Sequence, residues 1–262
     1  MVVSQVPKKR IASLFGRNAR FYDSDAEVQN SILRKLAQRL RAEIEQGETW
    51  CDIGGGTGKL LEYAAPLPEN SKVICLDLAL GSLRIAAGPH RKAAAVNGDA
   101  QFLPFNDSVL DGIIMSSMLQ WVSEPLEALK HALSKLRASG PILFSIFTEG
   151  SFEELRSVRL SKGLSVSTWF PSENELNSLF HSAGMEIDDS TKEKFSHVRY
   201  FSDAFSALRS LSRIGGTAVS GPLLNRRELA DLCRQYESRF ATSKGIPVTH
   251  NALIGCARRI SQ

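Results

Sequence analysis

The sequence predicts an α/β protein built on one mostly parallel sheet with helices on both faces. Three observations carry that expectation. Short β-branched apolar runs alternate with helix-period stretches through residues 49–147, the pattern of parallel strands joined by crossover helices. A glycine-rich turn, Asp52-Ile-Gly54-Gly-Gly56-Thr-Gly58, follows the first run directly. Acidic residues close the next two runs, Asp77 and Asp99, at the strand ends where open α/β sheets bind ligands.

The elements follow in order. Residues 1–41 form an N-terminal helical cap. Strands are expected at 49–53, 72–77, 94–99, 110–117 and 140–147. Helical patterns lie between them, at 58–65 and at 125–135, the latter with Leu126, Leu129, Leu133 and Leu136 at helical spacing. A short helix at 152–160 follows strand five. A sixth strand at 185–195 and a seventh at 249–258 frame two further helices, 202–214 and 226–241, joined by a glycine-rich stretch at 215–222. The expected domains are the cap 1–41, a ligand-binding core 42–195, a helical lid insertion 196–248 and a last core strand 249–262.

Composition narrows the function classes. At 262 residues the chain is one large domain or one and a half small ones. With 43% hydrophobic and 23% charged residues, collagen-like and disordered readings fall away. The four cysteines (51, 75, 233, 256) show no C-x-x-C pair, so neither a zinc knuckle nor a disulfide framework is expected. The five histidines (90, 131, 181, 197, 250) show no ligand spacing, and no metal is assigned. No apolar run approaches the ~18–20 residues of a membrane span. The first charges follow a short apolar stretch, the reverse of a signal peptide, so a cytoplasmic protein is expected.

Charge is uneven. Residues 1–41 hold nine Lys/Arg against three Asp/Glu, and 196–262 hold ten against four, while 42–195 hold thirteen against twenty-one. Basic ends around an acidic centre suit an anionic partner, or else solvated helix faces. No basic-aromatic stretch or recognisable RNA-binding motif points to nucleic acid.

The glycine turn is the most informative segment. Glycines let the backbone turn tightly and approach a ligand, and a helix N-terminus beyond offers free N–H groups. A dinucleotide fingerprint needs glycine at 59 or 61, where Lys59 and Leu61 stand. A phosphate-binding P-loop needs glycine at 53 and Ser/Thr at 60, where Ile53 and Leu60 stand. What remains is an acid two positions ahead of alternating glycines. Asp77 suits a ribose diol and Asp99 an adenine amino group, although each alone also fits a loop cap.

This constellation resembles the class I S-adenosylmethionine-dependent methyltransferases, whose first motif is matched by Asp52, Gly54, Gly56 and Gly58. The resemblance implies a seven-stranded Rossmann-like sheet, mostly parallel with the last strand antiparallel, and S-adenosyl-L-methionine as cofactor. It assigns ribose to Asp77 and adenine to Asp99, with Leu78, Ala100 and Ser116 completing the cofactor set. Leu110-Asp111-Gly112-Ile-Ile-Met-Ser116 looks like the fourth-strand motif, and Leu136 to Phe144 like the turn into strand five.

A narrower likeness spans nearly the whole chain. Phe15-Gly-Arg-Asn-Ala-Arg-Phe-Tyr22-Asp with Gln29 resembles the N-terminal signature of malonyl-[acyl-carrier protein] O-methyltransferases of biotin synthesis. Met118 to Trp121, Phe147 to Arg156, Ser202 to Gly215 and Ile246 to Thr249 are similar to later segments of that family. Ser212 and His250 stand where the family often has lysine and tyrosine. The resemblance implies methyl transfer to the free carboxylate of a malonyl thioester on acyl carrier protein or coenzyme A. Such a carboxylate is already ionised at neutral pH, so no general base is nominated. Candidates to hold it are Tyr22, Gln120, Arg199 and Arg209. Arg209 and Arg213 lie four apart on one helix face, opposite an expected apolar face of Phe205, Leu208 and Leu211, and Arg is the bidentate choice for a carboxylate. Arg209 is favoured because the resemblance to the family's lid helix is closer there than at 212–213. Trp121 fits the core, or a crevice wall after strand four. The expected partners are the carrier or coenzyme A thioester, with neither nucleic acid nor membrane, for a monomeric chain. The alternatives are a methyltransferase of the same core acting on a quinone, a free acid or RNA, and a non-catalytic cofactor-binding module.

Overall fold

The structure is a computed structural model and describes residues 6–88, 93–164, 168–214 and 224–260. The glycine-rich join at 215–222 and His90 lie outside the described residues. The first strands, β1 (Thr49–Ile53), β2 (Lys72–Asp77), β3 (Ala94–Asn97), β4 (Gly112–Ser116) and β5 (Ile142–Phe147), pair in parallel in the order β3-β2-β1-β4-β5. The long β8 (Ile246–Arg259) runs antiparallel to β5. Its other edge takes β6 (Met185–Ile187) and β7 (Glu193–Phe201), again antiparallel.

The expected α/β sheet is therefore present, mostly parallel with an antiparallel end, but with eight strands among the described residues. The sixth expected strand is two. The Asp188 carboxylate accepts hydrogen bonds from the Ser190 N–H at 2.9 Å and the Ser190 hydroxyl at 2.6 Å. These turn the chain through a short 3-10 segment, Asp189–Thr191, a local Asx-type bond that competes with the ladder. The strand then restarts and pairs along β8 from Glu193↔Ile254 to Phe201↔Ile246, which is why β8 begins earlier than expected. The third strand ends at Asn97, leaving Asp99 in the loop beyond it.

Helices cover both faces. On one, α2 (Glu27–Glu43) buries Ile32, Leu36 and Leu40 with Leu60 of α3 (Lys59–Ala64) against Val73 and Ile254. On the other, α5 (Pro125–Lys135) and α7 (Glu173–Ser182) pack Leu129, Leu133, Leu176 and Phe180 over Ile113 and Phe144. Helix α7 was not anticipated, although Ser172 and Glu175 form a reciprocal capping box at its start. The remaining helices are α4 (Leu80–Ala86), α6 (Glu153–Ser161), α8 (Ala204–Arg213) and α9 (Arg226–Phe240).

The N-terminal segment is one helix, α1 (Lys8–Asp25), ending at the fully buried Ala26 where α2 begins. Helix α1 crosses α4 at a glycine pair, since a Cβ on Gly81 would collide with the Gly16 carbonyl. This close approach lays α1 across the strand ends. Helix α8 buries Ala204, Ala207 and Leu211 against Leu232 and Tyr236 of α9 and Val248 of β8. Phe205 is not on that apolar face: it is 55% exposed and one turn from Arg209, on the same side. Among the described residues no helix is long and apolar enough to cross a membrane.

Candidate functional site

The order β2-β1-β4 makes the gap between β1 and β4 the point where strand order reverses, and a crevice opens there at the carboxyl ends of the strands. Its floor is the turn after β1. Gly54 and Gly56 have φ of +75° and +57°, a region that β-branched residues rarely enter. The Gly54 and Gly55 N–H groups donate to the Leu76 carbonyl at 2.8 and 3.1 Å. A Cβ at Gly54 would strike the Met118 side chain, whereas one at Gly56 would meet only a carbonyl at 4.0 Å. The turn is thus backed by packing at Gly54 and bare toward the crevice at Gly56.

Three carboxylates ring this floor. Asp77, at the end of β2, accepts the Gly56 N–H at 2.9 Å on one oxygen and the Ala79 N–H at 2.7 Å on the other. Burial pushes its pKa up, and those N–H groups pull it back. Each oxygen keeps a second lone pair for a ligand. Asp52, at 2% exposure, has an Oδ1 with no hydrogen-bond partner. Burial, then the charge of Asp77, pushes its pKa up to about 7. Asp99 accepts the Gln101 N–H at 3.0 Å and is ion-paired with Lys8 of α1 at 2.6 Å.

Helix α1 roofs the crevice with Lys8, Ile11, Ala12, Phe15 and Tyr22. Phe15 meets Trp121 edge-on at 5.5 Å and Tyr22 at 6.0 Å between ring centres, within the range of favourable aromatic pairs. Burial, with Asp23 and Asp77 nearby, raises the Tyr22 phenol pKa, so it stays a neutral hydroxyl. Thr57 in the turn donates to Asp23 of α1 at 2.7 Å, a second tie between roof and floor. At the far wall Ser116 and Ser117 close the end of β4, sharing hydrogen bonds with Ser145 of β5.

Of the expected residues, the crevice gathers Tyr22, Asp52, Gly54, Gly56, Asp77, Leu78, Asp99, Ala100 and Ser116. Gly58 is absent from its lining; left-handed at φ +75°, it starts α3 and shapes the turn from behind. Gln120 is buried next to the lining, donating to the Ser117 carbonyl at 2.8 Å while its Oε1 has no partner. Arg199 and Arg209 are not brought to the crevice. Arg199 lies on the face of β7 turned toward the α1–α2 join, where its Nε is 3.2 Å from Glu27 and its Nη1 donates to the Ser210 hydroxyl at 3.3 Å. Arg209 is exposed on the outer side of α8. The sequence reading missed Lys8, Gln101 and Met118 in the lining. The spacing of Ile11, Phe15 and Tyr22 on one helix face carried a signal for the roof.

A family model described as "Methyltransferase domain" matches residues 23–190. The chain is 29% identical over 268 residues to the malonyl-[acyl-carrier protein] O-methyltransferase of Geobacter sulfurreducens, covering 97% of this chain and 100% of that protein. It is 30% identical over 234 residues to the enzyme of the same name from Erwinia pyrifoliae, covering 87% and 85% respectively. Among solved structures, a proposed methyltransferase of Bacillus halodurans superposes with a TM-score of 0.64 at 16% identity, over 87% of this chain and 99% of that one. That last likeness concerns the fold.

Proposed function

Because the chain belongs to the methyltransferase-domain family, and within it to the malonyl-[acyl-carrier protein] O-methyltransferases, we propose that it methylates the free carboxylate of a malonyl thioester on acyl carrier protein, using S-adenosylmethionine. The observation that carries this reading is the crevice floor: three carboxylates around a glycine turn at the switch point of the sheet.

The residues present fit that cofactor. The buried, unpartnered Asp52 Oδ1 is suited to a positive charge, which would favour its ionised form. Asp77 has lone pairs for a ribose diol, and the bare face at Gly56 admits close approach of the ligand to backbone. Asp99, Ala100 and Gln101, which line the same crevice, would hold the adenine. When bound, S-adenosylmethionine would supply a methyl group on a sulfonium sulfur: a carboxylate oxygen would bond to the methyl carbon in line as the carbon–sulfur bond breaks and its electron pair stays on sulfur, giving a methyl ester and a neutral thioether.

The chain's own task is then positioning and exclusion of water. A malonyl carboxylate with pKa ~4 needs no base, and holding it against the methyl group can contribute about 7–11 kcal/mol through effective molarity. Tyr22, with its proton retained, offers an O–H to the carboxylate. Phe15 and Trp121 keep water from the transfer path. Gln120 stands one layer behind with an unused Oε1, and Arg199 at the α1–α2 join is held by Glu27 rather than free to clamp. The cap 1–41 forms the roof and the insertion 196–248 braces it.

The test is incubation with labelled S-adenosylmethionine and malonyl-loaded carrier protein, followed by mass spectrometry of the acyl group. One methyl added to the malonyl group is the expected result. Label only on a free acid or a quinone, or no transfer at all, would overturn the reading.

A further inference from the structure

Helix α1 has two faces, and only the inner one is explained by the crevice. Its outer face carries Arg10, Arg17, Arg20 and Phe21, all exposed, with Phe21 at 50%. Helix α8 lies alongside. Asn18 donates to the Ser212 carbonyl at 3.3 Å, and Arg213 reaches Asp25 at 3.3 Å. The two outer faces are therefore one surface. Its centre is the Phe21 ring, with the Arg20 guanidinium 5.7 Å away and that of Arg213 6.0 Å away. One turn back along α8 comes the exposed Arg209, and a second turn back the exposed Phe205. Within the surface Asp25 pairs with Arg213, and at its edge Glu27 pairs with Arg199. Asp23 is turned to Thr57 and Asp203 caps α8.

We infer that this α1–α8 face is the docking surface for the acidic face of the carrier protein, an inference that rests on the function proposed above. Charge complementarity selects the occupant. An arginine-rich face around exposed aromatic rings answers a negatively charged protein surface, and interfaces of this type favour Arg and aromatic residues. Placement supports it as well. The same helix that presents Arg17 and Arg20 outward presents Phe15 and Tyr22 inward to the crevice. A carrier seated there stands only about one helix diameter, ~10 Å, from the reaction site, so a flexible thioester arm can enter while its protein stays outside. Arg209, expected from sequence to clamp the substrate, belongs on this reading to recognition of the carrier.

The decisive variant is Arg17→Glu with Arg20→Glu in the full chain, two exposed residues that touch neither crevice nor core. Unchanged affinity for S-adenosylhomocysteine verifies that the variant is folded. Expected is a rise of about tenfold or more in KM for malonyl-carrier protein, as for loss of close charge complementarity, while kcat/KM for malonyl-coenzyme A stays within about twofold. Binding of unacylated carrier protein, read by calorimetry at 50 and 300 mM salt, should weaken with salt in the wild type and be lost in the variant. An unchanged KM for the carrier overturns the inference, as does an equal loss on both thioesters. Tighter binding of a generic RNA or of anionic lipid vesicles than of the carrier, abolished by the same variant, also overturns it. Failure of the proposed function looks different: the wild type would methylate neither thioester.

Discussion

The floor of the crevice and its roof are built in different ways. The floor is made by backbone N–H groups of one turn held by the end of the adjacent strand. Gly54, Gly55 and Gly56 all hydrogen-bond to the last two residues of the neighbouring strand, Leu76 and Asp77. The roof is tied down by side chains far apart in sequence: Lys8 to Asp99, Asp23 to Thr57, Asp25 to Arg213. The two ion pairs among them are part exposed, with side-chain exposures of 39% and 25% for Lys8 and Asp99, and such pairs contribute about 0–1 kcal/mol. The contrast is between a floor fixed by the neighbouring strand and a roof whose polar ties are individually weak and add to the packing of Ile11 and Phe15. A site that must trap a substrate and release a product needs both.

The most severe way to break the floor is Gly56→Val. Its φ of +57° is hostile to a β-branched residue, and the added carbons would project toward the ligand. Cofactor binding should be abolished while circular dichroism shows the fold retained. Near-native affinity for S-adenosylhomocysteine by calorimetry would remove the turn from the site.

Asp77→Ala is next. It removes the acceptor of the Gly56 and Ala79 N–H groups together with any ribose contact. Cofactor affinity should fall by roughly 1.5–3 kcal/mol, the scale of hydrogen bonds to a charged group. An unchanged dissociation constant would mean that the ribose is held elsewhere.

Asp52 makes the floor pH-sensitive. Its pKa rises from 3.8 to about 7 in the folded chain because burial and the Asp77 charge disfavour the anion. Between those values the folded chain keeps a proton that the unfolded chain has lost. The unfolded state then binds fewer protons, and stability falls as pH rises through this window. Urea midpoints of the cofactor-free chain should drop from pH 5 to pH 7.5, and Asp52→Asn should flatten that slope. A cationic ligand favours the ionised form, so binding should tighten over the same range. Identical slopes for wild type and Asp52→Asn would show that Asp52 does not titrate there.

What the sequence revealed follows the same division. Asp52 to Gly58, Asp77 and Asp99 were legible because each sits at a fixed distance from a strand end, and local spacing is what a sequence displays. The contacts of Lys8 and Arg199 were not, since their partners are 91 residues away for Asp99 and 172 for Glu27. Periodicity correctly put Arg209 and Arg213 on one face of α8. It does not say which face meets the crevice, and the expectation of Phe205 on the apolar face departed from that same period, since a residue four from Arg209 shares its side. The break between β6 and β7 was written in the run Asp188-Asp189-Ser190-Thr191, where the side chain of the first residue captures the backbone of the third.

The smallest expected effect is at the roof, and it is the one that tests how the roof is fastened. Lys8→Met removes the ion pair to Asp99 and the cation resting 5.4 Å from the Phe102 ring, while keeping an apolar stem over the crevice. Two consequences oppose each other. The roof loses a part-exposed pair of about 0.2–1 kcal/mol, which should let it open more often. Asp99 loses a competitor for its oxygen, which should improve its contact with an adenine amino group. The equilibrium affinity for S-adenosylhomocysteine should therefore change by no more than about threefold, whereas association and dissociation rates should both rise. Stopped-flow fluorescence, with Trp121 in the lining as the reporter, separates the two. Faster exchange at nearly constant affinity identifies Lys8 as a fastener of the roof. A large loss of affinity with an unchanged association rate would instead make Lys8 a direct ligand of the cofactor, and the fastening of the roof would then fall to the Asp23–Thr57 and Asp25–Arg213 ties and to the packing of Ile11, Phe15 and Tyr22.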